Sequence, residues 1–275
     1  LAIREKSLGP DHPDISADLN NIAFILKKQG FYAEARPLYE RSLAIKEKVF
    51  GLEHQSSATA LNNLAMLLRS QGAYVEARPL LERALAIFEK SLGPEHPNVA
   101  TALNNLGAIL EIQGSYAEAL PFYERSLAIK EKVLGPDHPD VALGITNFAF
   151  LLYTQGSYAE SRPLYERALA IREKTLGIGH PDVADVLNNF AMLLQKQGSY
   201  EEARLMYERA LGIWNKIFGP EHPKVAAGLN NLGLLFEKQG FYSEARSLHE
   251  QALEIWERSL GPEHPDVAFA LNNLA

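Results

Sequence analysis

Residues 98–139 read NVATALNNLGAILEIQGSYAEALPFYERSLAIKEKVLGPDHP, and the chain is this 42-residue unit repeated. The period is marked by Gln29-Gly30, Gln71-Gly72, Gln113-Gly114, Gln155-Gly156, Gln197-Gly198 and Gln239-Gly240, with no insertion or deletion between them. A fixed period of this size belongs to repeat architectures, in which each unit buries its apolar face only against its neighbours. The expectation is one elongated domain over residues 1–275 with a continuous core. Residues 1–13 match the end of a repeat, six full repeats occupy 14–265, and 266–275 start a seventh. The chain opens on Leu1 rather than Met, and neither end carries a polar capping helix, so it reads as a window on a longer array.

Each unit encodes two helices. The first is expected from about Val99 to Ile112. Its start column is Asp14, Ser56, Asn98, Asp140, Asp182, Lys224 and Asp266. Six of these seven can accept a bond from the orphan amides of a helix start. Glycine after Gln113 tolerates the left-handed closing conformation. The second helix opens on Ser115-Tyr116-Ala117-Glu118, a capping-box pattern repeated at Ser157…Glu160 and Ser199…Glu202. It should run to about Val133, before Gly135-Pro136. Pro37, Pro79, Pro121 and Pro163 fall inside it and should tilt its first turn. Leu205 and Ser247 replace them later, so that proline is dispensable.

Small residues mark where the helices touch. One column is Ala23, Ala65, Gly107, Ala149, Ala191 and Gly233. Two others are Ala35, Ala77, Ala119, Ser161, Ala203, Ala245 and Ser42, Ala84, Ser126, Ala168, Ala210, Ala252. Larger apolar residues such as Leu103, Leu106, Leu110, Tyr123 and Leu127 flank them at helical spacing, as close packing of antiparallel helices requires.

With Tyr116, Ala119, Tyr123 and Ser126, the small-large-small pattern resembles the tetratricopeptide repeat, whose standard unit is about 34 residues. The 42-residue form, with LNNLA, QGxYxEA, ERALAIxEK and LGPxHPDVA, is similar to the repeats of kinesin light chains and of bacterial multidomain arrays. The resemblance covers the whole chain. It implies an all-α fold, a right-handed α-solenoid (superhelix) of stacked antiparallel helix pairs, with the first helices lining a concave groove.

Composition excludes several functions. An apolar content of 47% argues for a folded chain, and the absence of cysteine removes disulfides and thiolate metal sites. A net charge of −7 opposes nucleic-acid binding. No apolar run reaches membrane-spanning length and no signal peptide opens the chain, so no membrane role and a cytoplasmic location are expected. No nucleophile–His–acid set or phosphate loop is legible, so neither an enzyme nor a cofactor is expected. His12, His54, His96, His138, His180, His222 and His264 recur once per unit. Successive units lie about 10 Å apart, too far for shared metal ligation, so these residues should pack the loops or cap the next helix.

The candidate site is a pair of asparagines on the first helix. The second of each pair is Asn21, Asn63, Asn105, Asn147, Asn189 and Asn231. The first is Asn20, Asn62, Asn104, Asn188 and Asn230, with Thr146 in the fourth unit. Asparagine has mediocre helix propensity, so such columns need a reason. Its amide can donate to and accept from a peptide backbone at once. The family resemblance implies that the second column holds a bound peptide; alternatively, one column bonds neighbouring helices and stabilises the stack. On the same face, Phe24, Met66, Lys27, Lys28 and Arg69 make the first two units locally basic. They suit an acidic peptide, or else form a solvated helix face. The expected function is a non-catalytic scaffold holding an extended peptide or partner segment in the groove. Other readings are a regulatory region of a larger signalling or nucleotide-hydrolysing protein, or a structural spacer. The incomplete terminal repeats also suggest end-to-end self-association.

Overall fold

The computed structural model describes residues 2–274. Leu1 and Ala275, the ends of the expected domain, lie outside them. The chain divides into two compact units, Leu1–Pro136 and Asp137–Ala275. In the first unit the helices are α1 (Ala2–Leu8), α2 (Pro13–Lys28), α3 (Tyr32–Phe50), α4 (Gln55–Ser70), α5 (Tyr74–Leu92), α6 (Pro97–Ile112) and α7 (Tyr116–Leu134). The second contains α8 (Pro139–Thr154), α9 (Tyr158–Leu176), α10 (Pro181–Lys196), α11 (Tyr200–Phe218), α12 (Pro223–Gln239), α13 (Tyr242–Leu260) and α14 (Pro265–Leu274). The even-numbered helices are the A helices of the repeat and the odd-numbered ones the B helices. Each full A helix packs on the B helix that follows it, and within a unit each B helix from α3 onward packs on the next A helix. This is an all-α, solenoid-type stack.

At the helix starts the Asp/Ser/Asn column does not serve as the cap, while the histidines do, as one of the two roles expected for them. The cap of the A helix is the histidine, two residues before the Asp/Ser/Asn column. His96 has extended backbone, and its Nδ1 accepts from the Asn98 amide at 3.1 Å. The same bond recurs at His12, His54, His138, His180, His222 and His264. Proline occupies the first helical position after most of them, where its missing N–H costs nothing. Position 98 therefore donates a backbone amide to the cap, and its own side chain does not serve as one.

The B helix also departs from its pattern. Ser115, Ser157 and Ser199 stand at its N-cap but make no side-chain capping bond. The glutamate of the expected box pairs elsewhere: Glu118 with Arg78 at 3.1 Å and Glu202 with Arg162 at 2.8 Å, each from the preceding B helix. Pro121 is accommodated inside a continuous helix. Both helix ends fall where expected, at Gly114 (φ 76°) and Gly135 (φ 85°), left-handed conformations that a side chain would strain.

The small columns are the contact surfaces. Ala23, Ala65, Ala77, Ala119 and Ala210 are fully buried. A Cβ on Gly107 would stand 3.3 Å from the Tyr123 ring, and one on Gly233 would stand 2.7 Å from His249 Cε1. Where serine replaces alanine, its hydroxyl donates to an A-helix carbonyl: Ser42 to Ser16, Ser126 to Ala100 and Ser161 to Ala149, at 2.7–2.8 Å. Around these contacts lie Leu61, Phe88, Val99 and Leu103 in one unit and Val183, Leu187, Trp214 and Trp256 in the other. Phe88, Trp214 and Trp256, which share one position of the B helix, are buried in these cores.

Enlarging a fully buried alanine at such a contact should overpack it. Ala77→Leu is expected to destabilise the fold by about 1–3 kcal/mol. Thermal unfolding measures this, and an unchanged midpoint would contradict the helix contact.

Candidate functional site: the A-helix face

The asparagine pairs form a ladder between neighbouring repeats. Asn63 Nδ2 donates to Asn20 Oδ1 at 2.8 Å, and Asn105 Nδ2 to Asn62 Oδ1 at 2.9 Å. In the second unit Asn231 donates to Asn188 and Asn273 to Asn230, both at 2.9 Å. Each rung joins the second asparagine of one repeat to the first of the repeat before it. The column assigned to ligand contact therefore also bonds the stack, and Asn105 is only 9% exposed. A rung uses one N–H of the second asparagine and one lone pair of the first. The carbonyl of the second and the amino group of the first are not used by it.

One rung is missing. Thr146 stands where Asn188 would have its counterpart in the previous repeat, and its hydroxyl donates to Ala142 O of its own helix at 2.8 Å. Asn189 consequently has no carbonyl to donate to. Among the described residues its side chain bonds as an acceptor, through Oδ1, from Asn188 Nδ2 at 3.5 Å.

Further along the face, a side chain from the B helix reaches the A-helix position twelve residues earlier. Tyr123 Oη donates to Glu111 Oε2 at 2.8 Å, and Tyr207 Oη to Gln195 Oε1 at 3.2 Å. His249 occupies the tyrosine column in the last repeat and is fully buried. Its Nδ1 lies 3.0 Å from Asn230 Oδ1 and its Nε2 lies 3.2 Å from Glu237 Oε1. Because Asn230 Oδ1 is the acceptor of the Asn273 rung, Nδ1 is the protonated nitrogen. The sequence pattern marks Tyr123 only as a large residue flanking the small columns; the twelve-residue offset from the tyrosine column to Glu111 and Gln195 is the signal for its second role.

The cations predicted from sequence do come together in the first unit. Lys27 is half-buried, and burial, then Arg69 and Lys28, hold its ammonium below the usual lysine range. Lys28 lies 5.6 Å over the Phe24 ring. Phe24 is 51% exposed, and Met66 is half-buried. Among the described residues, none of Lys27, Lys28 and Arg69 makes a contact ion pair. Arginines on the B helices are neutralised instead, as in Arg36 with Glu40 and Glu76 and Arg78 with Glu82 and Glu118. Glu111 tempers Arg69 at longer range. Burial raises the Glu111 carboxyl, while the Tyr123 bond and then Arg69 pull it back down.

Among the described residues, no cluster of three metal-ligating side chains is present and no helix is long and apolar enough to cross a membrane. The tetratricopeptide repeat family profile matches residues 1–48, 14–90, 56–132, 98–174, 140–216, 182–246 and 224–275. The crystal structure of a Podosopora anserina putative kinesin light chain with nearly identical TPR-like repeats is 29% identical. The match covers 76% of this chain and 99% of that one, with a TM-score of 0.63. BtubC (BKLC) from P. vanneervenii shares the fold at 20% identity, covering 92% and 93% of the two chains with a TM-score of 0.64. So does Pseudomonas aeruginosa PilF, at 18% identity, 94% and 97% coverage and a TM-score of 0.57. No curated protein matches the chain.

Two measurements test this geometry. A double-mutant cycle on Asn62→Ala and Asn105→Ala should show a coupling of about 0.5–1.5 kcal/mol in unfolding free energy, and strict additivity would remove the rung. Burial first, then the Glu111 carboxylate, hold the Tyr123 phenol well above the usual tyrosine range; burial first does the same for Tyr207. The folded state thus keeps these protons when the unfolded state loses them. The associated stability is complete below about pH 10 and falls as pH rises beyond it. In an alkaline titration followed by tyrosinate absorbance, Tyr123→Phe and Tyr207→Phe should leave the signal before unfolding unaltered.

Proposed function

Since the chain belongs to the tetratricopeptide repeat family, whose members generally mediate contacts between proteins, we propose that its A-helix faces hold an extended partner segment. On this reading the protein is a non-catalytic, cytoplasmic scaffold. Lys27, Lys28 and Arg69 receive acidic side chains, while Phe24 and Met66 supply apolar contact. The carbonyls of Asn63 and Asn105 and the amino groups of Asn20 and Asn62, which the rungs do not use, meet the partner's backbone.

The observation that carries this reading is the crowding on the first unit of three cations that make no contact ion pair among the described residues. All three lie in the last turn of an A helix, where the helix dipole favours a cation by about 0.3–1 kcal/mol. The dipole accounts for a cation at each helix end. It does not account for Lys27 being half-buried beside Arg69 and Lys28, which disfavours its charge. A carboxylate-bearing ligand would relieve that repulsion. The paired arginines of the B helices offer no such opening.

A suitable probe is the fluorescein-labelled peptide Ac-Ser-Glu-Glu-Ser-Glu-Ser-NH2, followed by anisotropy. Its affinity should fall with added salt, and Lys27→Glu with Arg69→Glu should weaken it about tenfold or more. Lys27→Met should weaken binding without lowering the melting temperature, because it removes a strained charge. Binding that ignores both salt and charge reversal would overturn the reading.

A further inference from the structure

We propose that a notch on the loop edge of the second unit receives a glutamate side chain and a neighbouring aliphatic residue from a partner protein. The notch is formed by Ile178, Gly179, Gly212 and Lys216, which belong to a loop and a B helix. It uses no residue of the A-helix faces, so the inference does not depend on the reading given for them.

In the other full repeats a cation near the end of the B helix meets a carboxylate 37 residues earlier, in the loop before the A helix. Lys48 pairs with Asp11, Lys90 with Glu53, Lys132 with Glu95 and Lys174 with Asp137 at 2.5–2.6 Å, and Arg258 with Glu221 at 3.4 Å. For Lys216 that loop position is Gly179. Its own helix supplies no carboxylate either, since the residues at i−4 and i−3 are Gly212 and Ile213. Lys216 is exposed and, among the described residues, makes no contact ion pair. The helix dipole accounts for a cation at each of these helix ends. It does not account for the loss of one carboxylate.

Further changes fall in the same notch. Its equivalent in the first unit is lined by Leu52, Glu53, Arg83, Ala86, Ile87 and Lys90. The next notch of the second unit is lined in part by Pro220, Glu221, Glu254 and Ile255. Ile178 stands where Pro94 and Pro220 stand in other loops, and it is 69% exposed. Gly212 replaces the alanine of Ala86, Ala128 and Ala170, although glycine weakens a helix interior. Packing does not call for either glycine, because a Cβ at Gly179 or Gly212 would meet no atom within 4 Å. Rim and floor have thus both lost side chains where the cation has lost its partner. Arg209, the other cation of the notch, is held by Glu173 at 2.6 Å, which leaves Lys216 as the uncompensated charge. A partner's carboxylate would take the place that Glu53 and Glu221 fill in their own repeats, and an aliphatic neighbour would cover Ile178.

The probes are Ac-Gly-Glu-Val-Gly-NH2 and its counterpart with glutamine for glutamate. Each is titrated into the full 15N-labelled chain while the backbone amide signals of Gly179 and Gly212 are followed. Gly179→Ala and Gly212→Ala identify those signals by their loss. The Glu peptide is expected to move both at about millimolar concentration, and the Gln peptide to bind about three- to fivefold more weakly. Lys216→Met should weaken the Glu peptide by the same factor. Gly179→Glu, which supplies the carboxylate of the other repeats, should abolish the effect on Gly212 and raise the melting temperature. Lys27→Glu with Arg69→Glu should leave the response unchanged. Signals unmoved by the Glu peptide, equal binding of the two peptides, or a Gly212 response that survives Gly179→Glu would overturn the inference. A response lost with Lys27→Glu and Arg69→Glu would belong to the first unit and would overturn it as well.

Discussion

A repeat unit of two helices has too little interior to bury its own apolar face, so each must be completed by the next. That constraint shows as fixed sequence offsets. Within the first unit, Ser42 and Ser126 reach carbonyls 26 residues back, Lys90 and Lys132 reach carboxylates 37 residues back, and Arg36 and Arg78 reach glutamates 40 residues ahead. The asparagine rungs span 43. A residue inserted within a helix would rotate the side chains beyond it by about 100° and take them off these contacts.

The same constraint divides the surface. On the B helices, position after position is occupied by a cation and a carboxylate that meet across the repeat boundary. These are exposed pairs worth at most about 1 kcal/mol each, and with the i,i+4 pairs made by the same arginines they leave little net charge there. The A helices are paired less regularly, as where Lys224 meets Asp185 of the preceding repeat at 2.6 Å. Lys27, Lys28 and Arg69 gather in one unit, and an uncharged aromatic stretch occupies α8 in the other. Variation is tolerated on this face because the helix contacts depend on the small columns and on the leucines between them. The side chains that point away from those contacts are free to differ.

Histidine and asparagine show how far residue types can be read without coordinates. The acidic and polar column at Asp14, Ser56 and Asn98 has the composition of an N-cap, yet the cap is the histidine before proline. Its Nδ1 reaches the amide two residues on with ordinary backbone geometry. The Ser-x-x-Glu box failed for a different reason. Glu118 and Glu202 are drawn to an arginine of the preceding repeat, and a local pattern carries no information about that neighbour. Thr146 was visible as a departure from the asparagine pair. Its consequence for Asn189 required knowing that position 146 faces position 189.

The sequence by itself determined the period, the two helices of each unit, their glycine terminations and the small columns on which they close. Each of these follows from local propensity or from 3.6-residue spacing. Only the tertiary structure decided which amide answers which, which arginines are neutralised and which cations are left crowded together. Those relations join residues about 40 positions apart, and their distances are set by how one repeat stacks on the next. The unit quoted at the outset thus contains nearly the whole fold in 42 residues. The binding surface becomes legible only when neighbouring copies of that unit are placed side by side.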